Sequence, residues 1–201
     1  MRELLKTRTP IQQVALICIC TLSLSLLDAF SSIAAPVYTP QNKPENLQAY
    51  FELIYQTLYT DKNPEKAAAL FSSLIPDRAR LQKALKDEVA PELIPKLLEF
   101  CQRLGLPNQG NIHELIQANK SVVSVYGATT EELAANVEGS PAWEHFAGGA
   151  RKAAPQVLRP GMTFYQVKLT APGQPHGMTF HLFYWDGRQW SMLGKVWQVL
   201  R

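Results

Sequence analysis

Four histidines, His113, His145, His176 and His181, are the side chains of this sequence best suited to hold a metal or move a proton near neutral pH. His113 is followed by Glu114, but no second histidine stands four residues on, as a zinc-protease helix requires. Glu144 and His145 are neighbours, and neighbours on a helix point about 100° apart, so the two do not converge on one ion. No serine occupies a Gly-x-Ser-x-Gly elbow, and no glycine loop is followed by the lysine that would complete a phosphate cradle. Glycoside hydrolysis needs two positioned carboxylates. Asp186 stands in an Asp-Gly turn instead, and Glu114, Glu131, Glu132, Glu138 and Glu144 fall on expected helix caps and surfaces. Cys101 lies in LLEFCQRL at helical spacing among apolar neighbours, the setting of a packing thiol rather than a nucleophile. No catalytic residue, metal or cofactor is expected from these patterns, and His181 is left as the histidine of interest.

His181 belongs to GMTFHLFYWDGRQW, a run of aromatic residues around the hairpin signal Asp186-Gly187. With Asp186 and Gly187 as the two central turn residues, Trp185 faces Arg188, Phe183 faces Trp190 and His181 faces Met192. One face of the sheet then carries Thr179, His181, Phe183, Trp185, Trp190 and Met192, and the other Met178, Phe180, Leu182, Tyr184, Ser191 and Leu193. Neither face is polar, so both must be covered, by helices, a partner subunit or a ligand. The face of His181 is the candidate cavity. Symmetrical pairing about TAPGQPH puts Tyr165 opposite His181, and Gly194, facing Thr179, leaves a gap in the side-chain layer. The candidate ligand-binding residues are thus His181, Tyr165, Phe183 and Trp190. The expected role is non-enzymatic binding of a small ligand or protein partner through this sheet. The alternative is a small hydrolase or isomerase using His181 with Tyr165.

The elements that position these residues follow from periodicity. Leu47, Tyr50, Phe51, Ile54 and Leu58 line one side of a first helix. Asn63-Pro64, Asp77 and Pro91 open three more, the last ending at Gly105. A short helix is expected from Ile112 to Ala118 and a strand over 121–126. Thr129 and Glu132 have capping-box spacing, and Ser140-Pro141 opens another helix before Gly148-Gly149 loosens it. GMTF at 161–164 recurs at 177–180, which marks two antiparallel neighbours, and a third strand is expected from Arg188 to Val199. The fold class is α+β, with N-terminal helices packed on a C-terminal antiparallel sheet of three or four strands.

Residues 1–34 read as a secretory signal. Arg2, Lys6 and Arg8 precede an apolar run from Val14 to Leu27, shorter than the roughly 20 residues of a membrane span, and Ser32-Ile33-Ala34 supplies a cleavage site. A tether over 35–43 and a single domain over 44–201 follow. The expected location is therefore periplasmic or secreted, with membrane attachment only if the signal is kept. Cys18 and Cys20 leave with the signal, so Cys101 has no internal disulfide partner and an apolar core must hold the domain. With 20 Lys plus Arg against 17 Asp plus Glu the chain is too balanced for a nucleic-acid footprint. A homodimer through the sheet is a further expectation.

FAGGARKAAPQVLRPGMTFYQVKL followed by GMTFHLFYWDGRQWSMLGKVW is similar to the closing block of small exported bacterial proteins of uncharacterised function. The resemblance covers the chain from Phe146 onward and implies export, with no catalytic residue. The order of helices before curved strands also resembles cystatin-like α+β cones, a likeness of fold alone.

Overall fold

A computed structural model of the chain describes residues 41–200. The expected signal, and the tether up to residue 40, lie outside the described residues.

Helix α1 (Pro44–Tyr59) starts on proline, whose missing N–H would have had no intrahelical partner there, and turns Leu47, Phe51, Ile54 and Leu58 inward. Side-chain caps begin the next two helices. Asn63 Oδ1 accepts from Lys66 N at 2.9 Å to start α2 (Pro64–Ser72), and Asp77 Oδ1 accepts from Arg80 N at 2.9 Å to start α3 (Arg78–Ala84). The longer α4 (Ala90–Leu104) ends at Gly105, whose φ of 74° stops the helix. A short α5 (Ile112–Leu115) leads into β1 (Val122–Thr129). Thr129 ends that strand and caps α6 (Thr130–Ala135) with the reciprocal bonds of a capping box, Glu132 N to Thr129 Oγ1 at 3.2 Å and Thr129 N to Glu132 Oε2 at 2.7 Å. Ser140 caps α7 (Pro141–His145), and α8 (Gly148–Val157) follows. The chain closes with β2 (Thr163–Thr170), β3 (Gly177–Trp185), β4 (Trp190–Met192) and a 3-10 turn, Val196–Gln198.

The strands form one antiparallel sheet in the order β1-β2-β3-β4, and the fold is α+β with the N-terminal helices packed on it. Val123, Tyr165, Val167, Phe183 and Trp190 meet α1, α2 and α5 on one side. Ala128, Phe164, Leu182 and Tyr184 meet α3, α4 and α6 to α8 on the other. Both apolar faces are thus covered by the chain's own helices, as an oily two-sided sheet requires.

The sheet departs from the expected register in three places. First, Trp185 pairs with Trp190, Tyr184 with Ser191 and Phe183 with Met192, because the hairpin loop takes four residues, 186–189, rather than two. Asp186 closes this wider loop: its Oδ1 accepts from Arg188 N at 2.9 Å and Gln189 N at 3.0 Å. Second, the last strand stops at Met192 instead of running to Val199. Met192 N donates to Leu74 O at 2.7 Å, and Gly194, at φ 69°, turns the chain away rather than facing Thr179 in a continuing ladder. Third, β3 carries a bulge. Tyr165 pairs with Phe183 but Val167 with Phe180, so one extra residue stands between them, and Leu182 adopts φ 56° while fully buried. The bulge exchanges faces along β3. Phe180, opposite Val167, joins the side of Phe183, while Thr179 and His181 go to the other side.

Two differences are simpler. β1 runs three residues further than the expected strand, to Thr129. α8 occupies a stretch where no helix was expected; it turns Ala150, Ala153, Ala154 and Val157 inward despite Pro155 within it. No helix among the described residues is long and apolar enough to cross a membrane.

Candidate binding groove at the edge of the sheet

The short β4 covers only the end of β3. Leu193 N donates to Leu182 O at 2.9 Å and Gly194 N to His181 O at 3.1 Å; beyond that point no strand among the described residues lies beside Gly177–Phe180 on its outer side. The end of α4 and the loop to α5 stand off this edge and leave a groove of about 590 Å³, within the usual range of ligand sites. Phe71, Met178 and Phe180 make one apolar wall. Phe180 is held there by ring contacts with Phe51 and Phe71, with centroids 5.6 and 5.4 Å away. Phe100 and Cys101 of α4 and Leu115 of α5 face them, and Lys195 and Gln198 close the far side.

His181 lines the groove, half-buried, where the bulge has turned it. Its Nδ1 lies 3.2 Å from Gln166 Oε1, and its ring packs edge-on against Trp197 with centroids 5.3 Å apart. An amide oxygen at Nδ1 puts the ring's proton on that nitrogen and leaves Nε2 with its lone pair. Burial, aided by the charge of Lys195, pushes the imidazole down to about 4, so it is neutral at physiological pH. Cys101 is half-buried, and burial raises its thiol above the ordinary value, which keeps it protonated rather than nucleophilic.

The four candidate residues divide into two groups. Tyr165, Phe183 and Trp190 come together in the core beneath α1 and α2; Trp190 lies 5.3 Å from Tyr165, edge-on, and is 2% exposed. Their rings are architecture. Tyr165 OH donates to Asn42 Oδ1 at 3.0 Å, on the opposite side of the sheet from His181. The expected pairing of Tyr165 with His181 on one face is therefore corrected: the bulge at His181 and Leu182 separates them. No hydrogen bond joins His181 to Glu114, the carboxylate lining the same groove.

The remaining histidines are scattered. His145 stacks on Tyr126 at 3.6 Å, His113 Nδ1 lies 3.5 Å from Tyr59 OH, and His176 is exposed in the loop before β3. Among the described residues no group of three His, Cys, Asp or Glu could hold a metal ion. Arg188 in the hairpin loop is exposed, and Arg151 lies 3.7 Å over the Trp143 ring.

Sequence reasoning passed over Phe71, Phe100 and Leu115, the helical half of the groove. Phe100 gave no separate signal: it stands seven residues after Leu93 and three after Leu97, the spacing of the buried stripe itself, and only the structure shows that it is half-buried where those residues are buried. Compared with known proteins, the chain matches no family model, no curated protein and no solved structure.

Proposed function

We propose that this chain is an exported, non-enzymatic binding domain whose site is the groove beside β3. The observation that carries the reading is the groove itself: about 590 Å³ walled largely by aromatic and aliphatic side chains, at the one stretch of β3 that β4 leaves open. The neutral, hydrogen-bonded His181 and its distance in the fold from Tyr165 favour binding over the hydrolase or isomerase alternative. The basic start and apolar run of the first thirty-odd residues support export.

Anilinonaphthalene sulfonate, a dye that brightens in apolar sites, tests the groove on the full chain. Phe180→Asp places a charge on the apolar wall and should weaken the dye at least about tenfold, while the melting transition shows that the fold persists. Equal dye binding by Phe180→Asp and the parent would place the apolar site elsewhere.

A further inference from the structure

We infer that the occupant of the groove is an extended polypeptide segment of another molecule, added to β3 as a fifth strand along Gly177–Phe180. The inference rests on the groove being a binding site and names what enters it. Its basis is the direction of backbone groups. Thr130 N donates to Met162 O at 2.8 Å, which fixes the alternation along β2: Phe164 and Gln166 turn their N–H and C=O groups toward β1, and Tyr165, Val167 and Leu169 turn theirs toward β3. The partners of these three, Phe183, Phe180 and Met178, therefore bond to β2. Gly177 and Thr179, which alternate with them, direct their backbone groups away from the sheet, and no described residue bonds to those groups. Thr179 delivers them into the groove.

An N–H and a C=O at one residue of a sheet edge are matched together by another strand, whereas an apolar small molecule leaves both unpaired. The edge has no proline and no charge to repel such a strand, and the bulge at His181 and Leu182 limits the addition to four residues, roughly 13 Å of extended chain. Alternate side chains of the segment meet Phe71 and Phe180, which selects apolar residues at those positions. A second copy of this chain is the poorer occupant. Residues of α4 and Lys195 flank this edge in the groove, which suits a single narrow strand better than a second edge that brings its own helices with it.

The probe is a set of short linear peptides selected from a random display library against the full chain. Thr179→Pro removes the outward N–H and spares the ladder to β2, a position where an edge strand tolerates proline. It should weaken the selected peptide at least about tenfold, since one partner of a sheltered hydrogen bond is left unpaired. Thr179→Ala keeps the N–H and should bind as the parent does, and the Thr179 amide should exchange more slowly with peptide bound. Equal affinity for Thr179→Pro, unchanged amide exchange, or self-association abolished by Thr179→Pro in the absence of peptide would each overturn the inference. If Thr179→Pro unfolds, methylating the peptide nitrogens one at a time decides instead: alternating sensitivity supports an added strand, and uniform tolerance overturns it. Should no peptide bind while the dye still depends on Phe180, this inference falls alone; should the dye ignore Phe180 as well, both readings fall.

Discussion

Arg80 shows how one side chain can fix the geometry of the hairpin. Its Nε donates to Asp186 Oδ2 and to Ser191 Oγ, each at 2.8 Å, its Nη1 to the carbonyls of Ser73 and Ile75 at 3.0 Å, and its Nη2 to Trp190 O at 2.5 Å. The Arg80 and Asp186 side chains are 12% and 3% exposed, so neither charge can turn to water if the other is lost. Asp186→Asn should therefore destabilise by about 3–5 kcal/mol, the usual cost of leaving one member of a buried ion pair alone. Urea unfolding of the two proteins measures it, and a loss below about 1 kcal/mol, typical of a surface pair, would contradict the account. At this scale the sequence was legible wherever the chemistry was local. Asn63, Asp77, Thr129 with Glu132, and Ser140 all cap the helices they precede, because a cap is decided within a few residues. The role of Asp186 was half legible. Its turn was readable, but the arginine that reaches it comes from more than a hundred positions away, and nothing in the local pattern announces that contact.

At the scale of the element, the two surprises are the bulge in β3 and the helix α8. A strand pattern assumes period two, and after Gly177 the run MTFHLFYW offers no glycine or proline to mark where that period slips. The slip falls on Leu182, whose positive φ costs of the order of 1–2 kcal/mol and is held by full burial of its side chain. That single irregularity carries His181 out of the core face and into the groove. α8 was obscured by Gly148-Gly149 and Pro155, although Ala150, Ala153, Ala154 and Val157 have helical spacing. Gly149 has a reason to be glycine: a Cβ there would lie 2.6 Å from the Trp197 ring, which packs against the start of the helix. In an isolated helix Gly149→Ala would gain about 1 kcal/mol of propensity. Here it should instead destabilise by about 1–3 kcal/mol, because a rigid indole must move and its edge contact with His181 goes with it. Thermal melts decide the sign, and a stabilised variant would mean that Trp197 yields freely.

At the scale of the whole molecule, the covering of both sheet faces was readable from the residues themselves, since strands oily on both sides cannot face water. Which helix covers which face was not, because that depends on the bulge and on loop lengths that carry no composition signal. The finished packing also sets a pH dependence. His181, held neutral by burial down to about 4, binds its proton less readily in the fold than in the open chain, where the ordinary value is about 6.5. Between those values the unfolded chain takes up more protons, so stability should fall as pH drops from 6.5 toward 4, by about 1–2 kcal/mol once water reaching the half-exposed ring screens part of the effect. Asp186 adds a second, lower step. Burial raises its carboxyl, but the N–H groups of Gln189 and Arg188, the hydroxyl of Ser191 and the charge of Arg80 together hold it below the ordinary value. Its contribution is complete above the unfolded-chain value near 3.8 and disappears as pH falls through the lower folded value. Urea midpoints across this range should decline in two stages in the parent, and His181→Gln should flatten the upper stage while leaving the lower one. A parent midpoint that stays level from pH 6.5 to 4 would mean that the groove lets His181 take its proton freely, and the burial argued for that wall would be lost.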